Sequence, residues 1–368
     1  MAFVGRARAL SRLLGVAEEA MGGRTRLVLV SGEAGIGKTT LAGEFAVRTQ
    51  LRVGWGTCAD AQRTPAFWPW TMALRSLLAV MAPTEVADLT GTDTDELGRL
   101  LPELSPTSAA DSGTGLADQA DANAARLQFF DAVARFLERM ARIAPTLIVL
   151  DDLQWADEST LALLEFVVRP YRPVPLVVVG AYRHDELGAV PARALGELAA
   201  YGEPLRLRGL SPEESHALVA EVAGLPAAER WAGEVHRRTN GQPFFARQLA
   251  EVLADPAEPA GAVPAAVSDL VARRVARLSE SCQALVEAAS LAGNELQPDV
   301  LGEVCGMETP VVAELMEEGL HAGVLIRDSD GLRTWFAHDL YRESISAGLA
   351  LPRRLVLHQR IADALEHR

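Results

Sequence analysis

The residues best suited to chemistry are Gly32-Glu33-Ala34-Gly35-Ile36-Gly37-Lys38-Thr39-Thr40, which have the spacing GxxxxGK[ST]. Glycines at these positions let the backbone curl until several N–H groups face one point, an anion cradle. A helix opening at the end of the run adds the positive end of its dipole. Lys38 would reach the β- and γ-phosphates of a nucleotide, and the Thr39 hydroxyl is a hard ligand for Mg²⁺. The expected nucleotide-binding set is therefore Gly32, Gly35, Ile36, Gly37, Lys38, Thr39 and Thr40. Lys38 is also the one lysine among 35 basic residues. A compact point charge suits this place better than a planar guanidinium, although a lone lysine also arises by chance in a chain biased towards arginine.

A second signal is the apolar run 147–150 ending in Asp151 and Asp152. Two carboxylates after a buried strand need a partner. Beside a phosphate loop, at the carboxyl edge of a parallel sheet, that partner is Mg²⁺. Asp151 is then the metal residue with Thr39, and Asp152 orients or deprotonates an attacking water. Read alone, the pair serves equally well as a strand end capping the next helix. Arg183 follows the apolar run 175–180 and can contact a γ-phosphate or be an ordinary surface arginine. Gly241-Gln242-Pro243 opens a helix, with Pro243 at its first position. His338 stands at another helix start, where a lone histidine serves either structure or function. Trp155 and the cluster Phe67-Trp68-Pro69-Trp70 read as packing residues.

Short apolar strands at 26–31, 51–58, 147–150, 175–180 and 204–207 alternate with helical patterns at 39–48, 69–80, 127–143 and 159–168. That alternation specifies an α/β fold: a parallel sheet with helices on both faces. Residues 83–123, rich in Thr, Asp, Ser, Gly and Pro, read as a long loop with one helix near 95–101. After Gly209 the pattern becomes helical, at 211–223, 229–238 and 243–253, followed by a Pro/Ala/Gly-rich linker at 255–264. Three or four more helices follow from 265. Strand-like runs at 323–327 and 332–336 then flank the turn Asp328-Ser329-Asp330-Gly331, a hairpin signal. Helices ending in a hairpin describe a winged-helix domain. The expected domains are 1–208, the NTPase core; 209–264, a helical lid and linker; 265–350, a winged helix; and 351–368, the start of a further helical segment.

Composition narrows the function. Of 368 residues 49% are apolar and 23% charged, with a net charge of −14. Such a chain is neither disordered as a whole nor a generic polyanion binder. Its apolar runs are too short for a membrane span, and the N-terminus lacks the apolar core of a secretory signal. Cys58, Cys282 and Cys305 are odd in number and widely spaced, which suggests neither disulfides nor zinc and fits a reducing cytoplasm.

Taken in order, Phe3-Val4-Gly5-Arg6, GEAGIGKTT, LIVLDDLQWAD, the VGAYRHDE run at 179–186, TNGQPFF at 239–245 and Phe336-Ala337-His338-Asp339-Leu340 resemble the STAND class of signalling P-loop ATPases. Within it they resemble the nucleotide-binding module of the large ATP-binding LuxR-type transcriptional regulators. The resemblance implies an ATP/ADP switch with Mg²⁺: an ADP-bound off state, with ADP buried among core, lid and winged helix, and an ATP-bound state that self-associates. It implies that Val4, Gly5 and Arg6 border adenine and ribose, that Pro243 touches adenine, that Arg183 senses the γ-phosphate, and that His338 reaches the β-phosphate of ADP. Ala7 stands where the family has Glu. Asp152 is shorter than the Glu of many hydrolytic relatives, which implies slow, regulatory ATP hydrolysis. The family continues into a helical-repeat sensor and a DNA-binding helix-turn-helix, so the resemblance makes this chain a fragment or a shortened member.

Two other readings compete. One is a working AAA-type ATPase driving mechanical or metabolic work. The other is a DNA-bound initiator-type ATPase, which needs a basic winged helix. Residues 266–368 carry 16 acids and 10 arginines, a net of 10 − 16 = −6, which argues against direct DNA binding by this chain. Nucleotide and, in the ATP state, further copies of the chain are the expected partners.

Overall fold

The computed structural model describes residues 3–59, 65–104, 119–169, 173–254, 265–293, 296–327 and 333–366. The chain forms two compact units. One comprises Ala7–Gly32 and Lys38–Leu207; the other comprises Met1–Arg6, Glu33–Gly37 and Arg208–Arg368.

The first unit is built on five parallel strands. Its elements run α1 (Ala7–Met21), β1 (Arg26–Ser31), α2 (Lys38–Arg48), β2 (Arg52–Thr57), α3 (Trp68–Leu78), α4 (Pro83–Thr90), α5 (Thr94–Gly98), α6 (Gln119–Ile143), β3 (Thr146–Asp151), α7 (Glu158–Val168), β4 (Leu176–Tyr182), α8 (Ala189–Leu198) and β5 (Gly202–Arg206). The strand order is β2-β3-β4-β1-β5. Residues of β3 and β4 are buried on both faces, as a sheet covered on both sides requires. Leu27, Leu29, Ile148, Leu150 and Val178 join a core with Trp70, Leu74, Phe136 and Leu163. The intervening residues Val28, Val30, Val149 and Val179 point the other way and are equally buried. Helices α1 and α2 pack against the sheet and against each other. The parallel register pairs Ser31 with Tyr182, Leu150 with Gly180 and Thr57 with Asp151. It therefore brings the ends of β1, β3 and β4 to one edge of the sheet. Gly56 admits the close approach of α3: a Cβ there would lie 1.9 Å from the Pro69 carbonyl oxygen.

The polar stretch expected as a loop over 83–123 is partly helical, as α4, α5 and the start of α6. Leu89, Leu97 and Leu101 are buried, and Asp93 is bridged by Arg135 and Arg139 at 2.7 and 2.8 Å. The residues that suggested a loop thus include a buried aspartate held by two partly exposed arginines of α6. Residues 105–118 lie outside the described residues. Helix α1 was not anticipated, although Leu10, Leu13, Ala17 and Ala20 recur at helical spacing and are buried. Trp70 is buried as expected and donates to the Thr160 carbonyl at 3.2 Å. Trp155 departs from the packing reading: it is 40% exposed.

The second unit is helical: α9 (Pro212–Ala223), α10 (Leu225–Thr239), α11 (Pro243–Ala254), α12 (Ala265–Val275), α13 (Glu280–Ala292), α14 (Pro298–Cys305), α15 (Thr309–His321), then β6 (Leu325–Arg327) and β7 (Thr334–Phe336), then α16 (Asp339–Gly348) and α17 (Leu351–Glu366). Strands β6 and β7 pair antiparallel. The expected Asp328–Gly331 turn and the linker at 255–264 lie outside the described residues. One apolar core runs from Leu210 through Phe245, Val286 and Val312 to Ala364. Ser211 opens α9 with a capping box: its hydroxyl accepts from the Glu214 N–H, and the Glu214 side chain accepts from the Ser211 N–H. No helix among the described residues is long and apolar enough to cross a membrane.

Candidate nucleotide site

In the sheet unit the carboxyl edge brings together Gly32, Lys38, Thr39, Asp151, Asp152 and Arg183. Lys38, the first residue of α2, is buried and donates from Nζ to the Gly32 carbonyl at 2.8 Å. Burial, and then the Arg183 charge, hold its pKa below the ordinary lysine value. Thr39 Oγ1 donates to Asp151 Oδ2 at 2.6 Å. Asp151 is 3% exposed, and burial pushes its pKa upward. Its other oxygen accepts the Asp152 N–H at 2.9 Å. A hydroxyl and a buried carboxylate side by side form a hard-oxygen donor pair. That donor pair fits Mg²⁺, which is held by one or two protein oxygens together with phosphate and water.

Asp152 lies in the left-handed region, φ 56° and ψ 41°. An aspartate tolerates this at modest cost, and the turn lifts its side chain off the strand line. Its Oδ1 accepts from Gln154 Nε2 at 2.8 Å and lies 3.6 Å from Arg183 Nε. Gln154 Oε1 in turn accepts the Arg183 backbone N–H at 3.0 Å. The Arg183 guanidinium donates to both carboxylate oxygens of Glu186, at 3.0 and 3.1 Å. Sequence reasoning passed over Gln154 and Glu186. Gln154 had one available signal, a polar residue two positions beyond the acidic pair.

In the helical unit, residues Glu33–Gly37 of the same loop meet a different set. Gly5 and Arg6 are both left-handed, at φ 74° and 62°. This turn lets the Arg6 N–H reach Glu214 Oε1 at 2.7 Å and the Arg6 guanidinium donate to the Ile36 carbonyl at 2.9 Å. Val4 packs on the apolar core. Gln242 is 3% exposed. It donates from Nε2 to the Ala34 carbonyl at 2.7 Å and accepts the Phe245 N–H at 3.0 Å, joining the loop to the first turn of α11. Pro243 begins that helix and is half-buried. A Cβ on Gly35, whose φ is +75°, would stand 2.7 Å from Gln242 Nε2 and 2.9 Å from Phe244 Cβ. The sequence reading treats Gln242 only as part of a helix opening and assigns the contact to Pro243.

His338 is buried, T-shaped against Phe245 and stacked on Tyr341, with ring centroids 5.1 and 5.6 Å away. Its Nε2 is 3.9 Å from Glu33 Oε2, and its Nδ1 is buried without a hydrogen-bond partner among the described residues. Burial, helped by the Arg274 charge, pushes its pKa down to about 3. At neutral pH the imidazole is therefore uncharged. Gly37, φ +98°, has open space where a Cβ would lie, and Thr40 is exposed on α2.

Residues 2–179 match the AAA ATPase domain family. Over that segment the chain is similar to an ATPase domain of the AAA type. An uncharacterised protein of Rhizobium meliloti is 24% identical over 382 residues, covering 94% of this chain and 35% of that protein. The chain thus spans about a third of the length of this relative. Among solved structures, a Walker-type ATPase of Pyrococcus abyssi aligns over 93% of this chain and 96% of its own, at 14% identity and a TM-score of 0.57. That likeness shows a shared P-loop NTPase fold. A STAND protein with a tetratricopeptide-repeat sensor from Pyrococcus horikoshii aligns over 99% of this chain and 45% of its own, at 18% identity and a TM-score of 0.43.

Proposed function

We propose that the chain is an ATP/ADP-binding switch with slow Mg²⁺-dependent hydrolysis, part of a STAND-type regulator of the LuxR-like kind, with residues 265–350 acting as a winged helix. The observation that carries this reading is the double hold on the phosphate loop. Lys38 and Thr39 at its end carry the phosphate and metal chemistry. Its middle residues give their carbonyls to Gln242 and Arg6, side chains far away in sequence. A nucleotide would engage N–H groups of a loop in which two carbonyls, of Ala34 and Ile36, already accept from Gln242 and Arg6. A change of phosphate charge therefore acts on the same few residues as those hydrogen bonds.

Lys38 turns from the Gly32 carbonyl to the phosphates. Thr39 and Asp151 would hold Mg²⁺, which when bound would offset phosphate charge. Asp152 takes a proton from a water. The water oxygen bonds to the γ-phosphorus as the bond from that phosphorus to the β,γ-bridging oxygen breaks, leaving ADP and phosphate. Arg183 faces the transferred charge. His338, neutral, would donate one hydrogen bond to the β-phosphate of ADP, a contact expected to be lost in the ATP state. The test pairs ADP and ATP titrations with a steady-state rate. We expect bound ADP in the purified chain and turnover well below the ~10 s⁻¹ typical of enzymes. Turnover at or above that value would favour a working ATPase.

A further inference from the structure

We propose that Gln154 is a positioning residue for hydrolysis: its one amide ties the water-activating carboxylate of Asp152 to the Arg183 segment. The inference rests on the nucleotide-site reading above and adds a role that no motif assigns. Gln154 is 4% exposed, so its amide must find partners within the protein. Both ends of that amide are used. Nε2 donates to Asp152 Oδ1 at 2.8 Å, and Oε1 accepts the Arg183 N–H at 3.0 Å.

The consequence for Asp152 is directional. Oδ1 faces Gln154 and, at 3.6 Å, Arg183 Nε. Among the described residues Oδ2 accepts no hydrogen bond, which leaves it to take the proton of a water. The left-handed backbone of Asp152 adds to the need for a brace, because a strained residue keeps its rotamer only when its surroundings hold it. Gly180 in β4 belongs to the same arrangement. A Cβ there would sit 2.6 Å from Leu153 Cδ1, so the strand leaves room for the short 3₁₀ turn Leu153–Trp155 that carries Gln154. The brace also runs the other way. A shift of the Arg183 backbone pulls on Oε1, and through the rigid amide plane the same pull reaches Asp152. Gln154 therefore makes proton acceptance depend on where the Arg183 segment stands.

Two variants separate the halves of this role. Gln154→Glu keeps an acceptor for the Arg183 N–H but replaces the donor to Asp152 with a like charge. Gln154→Ala removes both. Hydrolysis is followed in single turnover, and ADP and ATP affinities are measured on the same preparations. Both variants should hydrolyse about 10- to 100-fold more slowly, the range for partners that orient a reacting group at one remove. Affinities should stay within about threefold, well below the loss expected from removing a phosphate contact.

Unchanged rates would overturn the proposal. So would parallel losses of rate and affinity, which mark a structural residue. Wild-type protein that binds ATP but does not hydrolyse it also overturns it, since there is then nothing to position. Wild-type protein that fails to bind ATP at all instead removes the underlying nucleotide-site reading.

Discussion

The two units hold their parts of the phosphate loop by different means. In the sheet unit, Thr39, Asp151 and Asp152 meet because parallel strands in register deliver their ends to one edge. Buried strands with two covered faces set that edge, so its geometry is as stable as the sheet itself. In the helical unit, Arg6 reaches Glu214 across 208 positions of chain, and Gln242 reaches Ala34 across the same separation. These are single hydrogen bonds, each contributing about 1 kcal/mol net. On the proposed reading, chemistry would rest on the sheet edge, and regulation would act through these weaker contacts.

The largest effect should come from the sheet side. Lys38→Ala should weaken ATP and ADP binding by roughly 100-fold, the loss expected when a charged hydrogen-bond donor to phosphate is removed. Lys38→Arg should lose most of it too, because a planar fork does not replace a buried ammonium. Calorimetry with both nucleotides decides this. Near-native affinity in Lys38→Ala would remove the phosphate-loop assignment.

Breaking the helical side should do less to affinity and more to selectivity. Gln242→Ala leaves the Ala34 carbonyl and the Phe245 N–H without their partner, at a cost of about 1–3 kcal/mol to the helical unit. ADP should then dissociate about tenfold faster, a coupling near 1.4 kcal/mol. Stopped-flow release of a fluorescent ADP analogue measures this; an unchanged rate would show that the contact does not report to the nucleotide. His338→Ala should weaken ADP by five- to a hundredfold and ATP less. Equal losses would make His338 purely structural.

His338 also sharpens the comparison through pH. Its folded pKa is about 3, below the unfolded value of 6.5. Between those values the unfolded chain binds a proton that the folded chain does not, so stability falls as pH drops below about 6.5. The limiting slope for one proton is about 1.4 kcal/mol per pH unit. His338→Gln should flatten that part of the curve in urea denaturation at stepped pH; an unaltered slope would place the titration elsewhere. The smallest effect expected is none at all: the acidic segment 266–368 should give no salt-sensitive, sequence-selective DNA complex.

How much of this was legible in the sequence follows the same division. Strands β1 and β3 and the residues Lys38, Thr39, Asp151 and Asp152 are readable because contiguous motifs encode them and the parallel register follows from the βα alternation. Gln242, Glu214 and Gln154 were not, because a glutamine or glutamate at a helix start looks like local capping. Only the fold shows that its second bond goes to a distant backbone group. The stretch after Pro83 misled for a related reason. Asp93 reads as a loop residue until Arg135 and Arg139 come beside it.

The switch itself is tested most directly by the mass of the intact chain, measured by light scattering in saturating ADP and again in saturating ATP with Mg²⁺. A monomer in ADP and a larger, self-associated species in ATP is the predicted result. The same mass in both nucleotides would contradict it.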